Sequence, residues 1–201
     1  MFSGENAEAI ALYGIFILKG ILAMKKNTKK LCLAGICLAL CHVLPFFTGQ
    51  IPEIGNMLSP MHIPVLLCGF ICGPVYGALV GFIAPFIRYF LFQMPPLIPP
   101  VPGGPSGLSM AFEMAAYGFV AGICIKLFSF SLKGVYASLI AAMLIGRVVW
   151  GIASYLVFLS LGMGFTMQLF IAGAFINAIP AIILHLLIIP PVVMAVRKAG
   201  I

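Results

Sequence analysis

The stretch VYASLIAAMLIGRVVWGIASYLVFLSL, residues 135–161, decides the fold class of this chain. It exceeds the roughly 20 apolar residues that an α-helix needs to cross a bilayer. Arg147 is a charged residue near its middle. A cation at that depth costs at least ~2.5–3.5 kcal/mol when it faces lipid, so we expect Arg147 to face a protein or water-filled interior. The stretch predicts a transmembrane helix that carries a functional residue.

The overall composition agrees with a lipid environment. Hydrophobic residues make up 63% of the chain and charged residues 7%, whereas a soluble domain carries about 25% charged residues. The net charge of +7 does not indicate nucleic-acid binding, because the basic residues do not form a face with interleaved aromatic side chains. Four of them, Lys25, Lys26, Lys29 and Lys30, directly precede the first strong apolar span, a pattern that sets membrane topology.

Apolar length and the Gly/Pro positions predict six spans, near residues 31–47, 61–73, 74–92, 108–128, 134–161 and 168–196. The second span is short, and Cys72-Gly73-Pro74 predicts a tight turn after it, so spans two and three are expected to form a hairpin. The fold class is therefore an all-α integral membrane protein, with a six-helix membrane domain over residues 24–201. The lysine cluster places both termini in the cytoplasm, and the outer loops 93–107 and 162–167 contain no Lys or Arg.

Residues 1–23 precede a second methionine, Met24, which begins the sequence MKKNTKK. This segment is interpreted as an over-extended start, since Lys19-Gly20 codons resemble a bacterial ribosome-binding site just ahead of Met24. The alternative is a genuine N-terminal amphipathic or seventh helix with Lys19 reaching the interface.

Several chemistries lack the residues that they need. The sequence has no aspartate and no G-x-x-x-x-G-K-[ST] loop, so ATP hydrolysis by this chain is excluded. No serine elbow accompanies His42, His62 or His185, and the six cysteines fit small hydrophobic residues in apolar helices better than metal ligands. The chain is predicted not to be an enzyme and to need no metal or cofactor. A small intramembrane enzyme or channel around Glu113 and Arg147 stays open as the alternative.

Polar residues are expected to converge in the outer half of the membrane. Arg88 falls near the outer end of span three, Glu113 near the outer start of span four, and Arg147 about midway along span five. Helical spacing and the outer loops extend this candidate binding site to further residues, namely Tyr117, Trp150, Asn177, Asn56 and His62.

Two arginines against one glutamate favour a small ligand with a carboxylate or another anionic group. The alternative is an Arg147–Glu113 ion pair that only holds two helices together. The proline-rich loop at residues 93–107 is interpreted as a lid over the site, or as a stiff connector. Gly35 and Ala39 give the first span a small-xxx-small face for close helix packing, either within the bundle or against a partner.

Four stretches carry a family resemblance: NMLSPMHIPVLLCGFICGPVYGALVGFIAPFIR at 56–88, MAFEMAAYGFVAG at 110–122, GRVVWG at 146–151 and AGAFINAIP at 172–180. With the six spans, they resemble the substrate-binding S components of energy-coupling factor (ECF) transporters, which bring vitamins into bacteria and archaea. The resemblance covers about residues 24–198.

This resemblance implies a six-helix fold that binds one small molecule near the outer face and reorients within the membrane. It also implies partners, a transmembrane coupling subunit and two ATPase subunits, in a bacterial cell membrane. The face of Gly35 and Ala39 matches the one that meets the coupling subunit, although alanine at both positions is the commonest form. Since arginines exceed glutamates in the predicted site, the expected substrate is pantothenate or a similar carboxylate-bearing vitamin, and riboflavin and thiamine precursors are the alternatives.

Overall fold

The computed structural model describes residues 26–48, 59–100 and 104–199, and these residues form helices joined by short connections. Residues 1–23 and Asn56, which the sequence analysis singled out, lie outside the described ranges. The helices are α1 (Lys26–Val43) with a 3₁₀ turn (Leu44–Thr48), α2 (His62–Cys72), α3 (Pro74–Phe92), α4 (Gly107–Phe128), α5 (Leu132–Ser160), α6 (Met167–Ile171) with a π-helical segment (Ala172–Ile176), and α7 (Ile179–Lys198).

Within the described ranges, five helical stretches are long and apolar enough to cross a membrane. They are Asn27–Phe46, Pro74–Phe92, Gly107–Phe128, Leu132–Ser160 and Met167–Lys198, and α2 is a shorter apolar helix beside them. With 11 residues, α2 is about 16 Å long. The predicted bundle is confirmed, including the short second span.

Local sequence signals set the helix ends. Ser106, Ser131 and Thr166 cap α4, α5 and α6, each accepting a hydrogen bond from the backbone N–H three residues later. Gly73 joins α2 to α3 with φ of 102°, a conformation that residues with a Cβ rarely adopt, and Pro74 follows as the first residue of α3. The predicted hairpin between spans two and three is therefore present.

Helix α4 lies at the centre of the bundle, where it packs against α2, α3 and α5. Glycines bring these backbones into direct contact: a Cβ on Gly118 would lie 2.3 Å from the backbone of Gly77, and one on Gly81 would lie 2.3 Å from the Met114 carbonyl. Small residues that allow such close approach are the usual basis of helix packing in membranes. Helix α7 completes the bundle by contacting α2 and α5.

Four of the six cysteines pack as apolar residues between α1 and α2. Cys37, Cys41, Cys68 and Cys72 are buried in one hydrophobic cluster, and every cysteine is a free thiol. The described residues contain no group of three or more His, Cys, Asp or Glu side chains that could hold a metal ion.

Candidate ligand-binding site

A buried ion pair between α4 and α5 forms the centre of the candidate site. Arg147 Nη1 lies 2.7 Å from Glu113 Oε1, and the two residues are only 9% and 3% exposed. Gly146 lets the helices approach here, because its Cα lies against the ring of Tyr117, where a Cβ would be 2.1 Å away. The predicted inward orientation of Arg147 is thus present.

Two histidines extend this centre toward other helices. His62, the first residue of α2, places Nε2 3.8 Å from Glu113 Oε2, too far for a direct hydrogen bond. Its ring centroid lies 5.2 Å from that of Tyr117 and 6.2 Å from that of His185 on α7. Tyr117 also lies beneath the Arg147 guanidinium, with 5.9 Å between Cζ and the ring centroid. Four helices therefore contribute side chains to one buried polar cluster, which consists of His62, Glu113, Tyr117, Arg147 and His185.

Many hydrogen-bonding atoms in this polar cluster have no partner. Five of the nine buried side-chain atoms without a hydrogen bond in the described chain belong to it, namely His62 Nδ1, His62 Nε2, Glu113 Oε1, Arg147 Nε and His185 Nε2. Glu113 Oε1 belongs to this set although Arg147 is close, because their contact has the distance of an ion pair without the alignment of a hydrogen bond. Each such buried atom costs about 1–3 kcal/mol. Their concentration in one place is typical of a functional site.

Three predicted site residues lie elsewhere. Trp150, half-buried on α5, packs against Gly173 and lies 6.4 Å from Phe170 between ring centroids, so it joins α5 to the α6 region. Asn177 follows the π-helical segment and is exposed. Arg88 is half-buried on α3, with Cζ 5.5 Å from the ring centroid of Phe92. The structure does not bring Arg88 into an ion pair with Glu113, so the expected meeting of three charges is reduced to the pair Glu113–Arg147.

The sequence comparison decides the family. The family described as "ECF transporter, substrate-specific component" matches residues 29–193, most of the chain. The chain belongs to this family. It is a substrate-binding subunit of a transporter and a multi-pass membrane protein rather than an enzyme, and the predicted resemblance is confirmed. No curated protein and no solved structure matches the chain.

The proline-rich loop of this S component is tied to the start of α4. Ser106 Oγ donates to the Leu97 carbonyl at 3.2 Å, and the Gly107 N–H donates to the Pro96 carbonyl at 2.8 Å. Glu113 lies six residues further along α4, about 9 Å below this end at 1.5 Å per residue. The described part of the loop, 93–100 and 104–106, therefore lies at the end of the bundle closest to the polar cluster.

The S component also has two apolar grooves along α5, each of about 380 Å³. Gly151, Tyr155 and Phe170 line the first, and Phe112, Val149 and Ser160 contribute to the second. Neither groove includes Glu113 or Arg147. Because polar recognition of a ligand requires hydrogen-bonding groups, we assign the candidate site to the polar cluster and not to these grooves.

His185 was missed by the sequence analysis. The signal that could have identified it is a histidine inside a long apolar span. Polar residues within membrane spans mark functional sites, and this argument applies to His185 as it does to Arg147. The partners of α7 in the bundle, however, do not follow from the sequence.

Proposed function

We propose that this S component binds a small carboxylate-bearing vitamin, with pantothenate as the best candidate, at the polar cluster in the outer half of the membrane. The observation that carries the proposal is the set of buried, unpartnered atoms on His62, Glu113, Arg147 and His185. A ligand that hydrogen bonds to these atoms offsets their desolvation cost, which supplies binding energy.

The charges at the site support an anionic ligand only when Arg88 is included. Glu113 neutralises Arg147 at 2.7 Å, so a ligand carboxylate needs another cation. Arg88 is the candidate, since its Nη1 is buried without a hydrogen-bond partner among the described residues. We keep the sequence-based proposal of Asn56 as a further ligand contact, and we propose Tyr117 as the aromatic surface for the apolar part of the ligand.

Transport requires partners that hydrolyse ATP. We propose a transmembrane coupling subunit and two ATPase subunits, with the S component docking through Gly35 and Ala39 on α1. Both residues are exposed among the described residues, none of which has an atom within 4 Å of the position that a Cβ on Gly35 would occupy. This face is therefore accessible to a helix of the coupling subunit. The proposed location is a bacterial cell membrane with both termini in the cytoplasm, since Lys126, Lys133 and the α7 end then face the same side.

Native mass spectrometry of the gently purified protein tests the binding proposal. The protein is purified from cells grown in rich medium, and then offered a panel of vitamins that includes pantothenate. We expect wild type to retain a mass of a few hundred daltons, and the folded Arg147→Ala and Glu113→Ala variants to lose it.

Arg197→Ala is the matched control, because Arg197 contacts Phe130 at the opposite end of the bundle. This variant should retain the ligand as wild type does. If wild type stays empty with every vitamin of the panel, the binding proposal is wrong and the Glu113–Arg147 pair has a structural role. If the retained mass is that of another vitamin, the assignment to pantothenate is wrong and the binding function stands.

A further inference from the structure

His185 is a buried histidine in the middle of the last transmembrane span. It is 1% exposed, and its ring centroid lies 6.2 Å from that of His62, which is 3% exposed. The Nε2 atom of His185 is buried without a hydrogen-bond partner in the described part of the chain. This atom therefore remains for another contact.

The polar cluster buries the ring of His185 but gives its Nε2 no hydrogen-bond partner among the described residues. Neither ring nitrogen of the neighbouring His62 has a hydrogen-bond partner among the described residues. A leucine at either position would fill a similar volume without leaving a polar atom buried, so protein stability alone does not account for the histidines. A ligand that contacts both rings does account for them.

We infer that His185 is a ligand-binding residue, and that His62 and His185 together hold an uncharged amide or hydroxyl group of the bound vitamin. This inference rests on the proposed function and adds to it the part of the ligand that the polar cluster recognises.

The electrostatics of the site favour an uncharged group at this position. The charges of Glu113 and Arg147 oppose each other within the cluster, so a ligand carboxylate gains little from entering it. A neutral imidazole offers one donor and one acceptor nitrogen, which complements an amide or a hydroxyl group. Pantothenate has its hydroxyl groups at one end, its amide in the middle and its carboxylate at the other end. The hydroxyl and amide part therefore fits the histidines, and the carboxylate is left for Arg88.

Three substitutions of His185 separate ligand contact from a structural role. In His185→Gln the amide occupies the region of Nε2, the atom without a partner among the described residues, and in His185→Asn it occupies the region of Nδ1. His185→Leu removes both polar positions. The affinity for D-pantothenate and for D-panthenol, which has an alcohol in place of the carboxylate, is measured by calorimetry, and the thermal midpoint of each ligand-free variant is measured alongside.

We expect His185→Asn and His185→Leu to bind both compounds at least about tenfold more weakly than wild type, as expected when a buried hydrogen bond is lost. His185→Gln should stay within about threefold of wild type, since it keeps a polar atom toward the ligand. The loss factor should be the same for pantothenate and panthenol, because the histidines contact the end that the two compounds share. The thermal midpoint of ligand-free His185→Leu should equal or exceed that of wild type.

Other outcomes overturn the inference in distinguishable ways. If wild type binds pantothenate and His185→Asn binds it equally well, His185 does not contact the ligand, while the proposed function stands. If Asn weakens only pantothenate and not panthenol, His185 recognises the carboxylate instead. If Gln loses binding together with Asn, or if Leu lowers the thermal midpoint, the role of His185 is structural. If wild type binds neither compound, the proposed substrate and this inference both fail.

Discussion

At the scale of single residues, the Glu113–Arg147 pair has a cost as well as a role. Two buried charges lose their hydration, and their attraction repays this loss only when both are present. The pair is 2.7 Å apart but is not aligned as a hydrogen bond. Each charge therefore compensates the other. The losses of stability caused by the two single substitutions are consequently not expected to add in the double variant.

We expect Arg147→Met to lower the free energy of unfolding by about 3–5 kcal/mol, because it leaves the Glu113 carboxylate buried without its cation. Adding Glu113→Gln should recover most of this loss, since the second substitution removes the uncompensated charge. Unfolding of the purified protein by a denaturing detergent measures both values. Losses that simply add in the double variant would contradict this account of the pair.

The residues of the site were predictable to the extent that polarity in an apolar span marks them. Arg147, Glu113, Tyr117 and His62 carry this signal, and they meet in the structure. Arg88 carries the same signal but lies beside Phe92. Whether Arg88 reaches Glu113 depends on the rotation of α3 about its axis. Glycine packing against α4 sets this rotation, and the positions of polar residues in the sequence do not predict it.

At the scale of helices, the contact of α2 and α3 with α4 depends on glycines whose backbones touch. A Cβ on Gly118 would lie 2.3 Å from Gly77, within the distance that real Cβ atoms avoid. The helix lengths and the turn at Gly73 follow from apolar runs and Gly/Pro positions, and both predictions are confirmed. Which glycines touch, in contrast, requires the relative rotation of the helices and was not predictable.

We expect Gly118→Ala to destabilise the protein by about 2–3 kcal/mol, because the added methyl forces the backbones of α3 and α4 apart. Gly35→Ala is the matched control, since a Cβ there meets no atom of the described residues within 4 Å. It should leave stability unchanged or raise it by up to about 1 kcal/mol through the better helix propensity of alanine. Thermal unfolding of both variants in the same detergent measures the difference, and equal midpoints would show that the contact at Gly118 is unimportant.

At the scale of the whole molecule, the candidate site and the proposed docking face are on different helices. The polar cluster lies among α2, α4, α5 and α7, whereas Gly35 and Ala39 are exposed on α1. Ligand binding and assembly should therefore respond to different substitutions.

Gly35→Leu tests this separation. The leucine fits the described part of the S component, where no atom lies within 4 Å of a Cβ on Gly35, but it prevents the close approach of a partner helix. We expect vitamin binding by the isolated protein to stay within about twofold of wild type, while the amount of coupling subunit that copurifies falls at least about tenfold. Normal copurification would exclude α1 as the docking face, and a parallel loss of vitamin binding would show that the two functions are not separate.

The shortness of α2 also affects how the chain is made. A helix of 11 residues spans about 16 Å, roughly half of the hydrocarbon layer, so it cannot settle in the bilayer by itself. Its glycine contact, Gly69 against Gly118, becomes available only after α4 has left the ribosome. Residues 62–128 are thus expected to enter the membrane as one cooperative unit during biosynthesis. If synthesis stops before α4, α2 is expected to have no stable position in the bilayer.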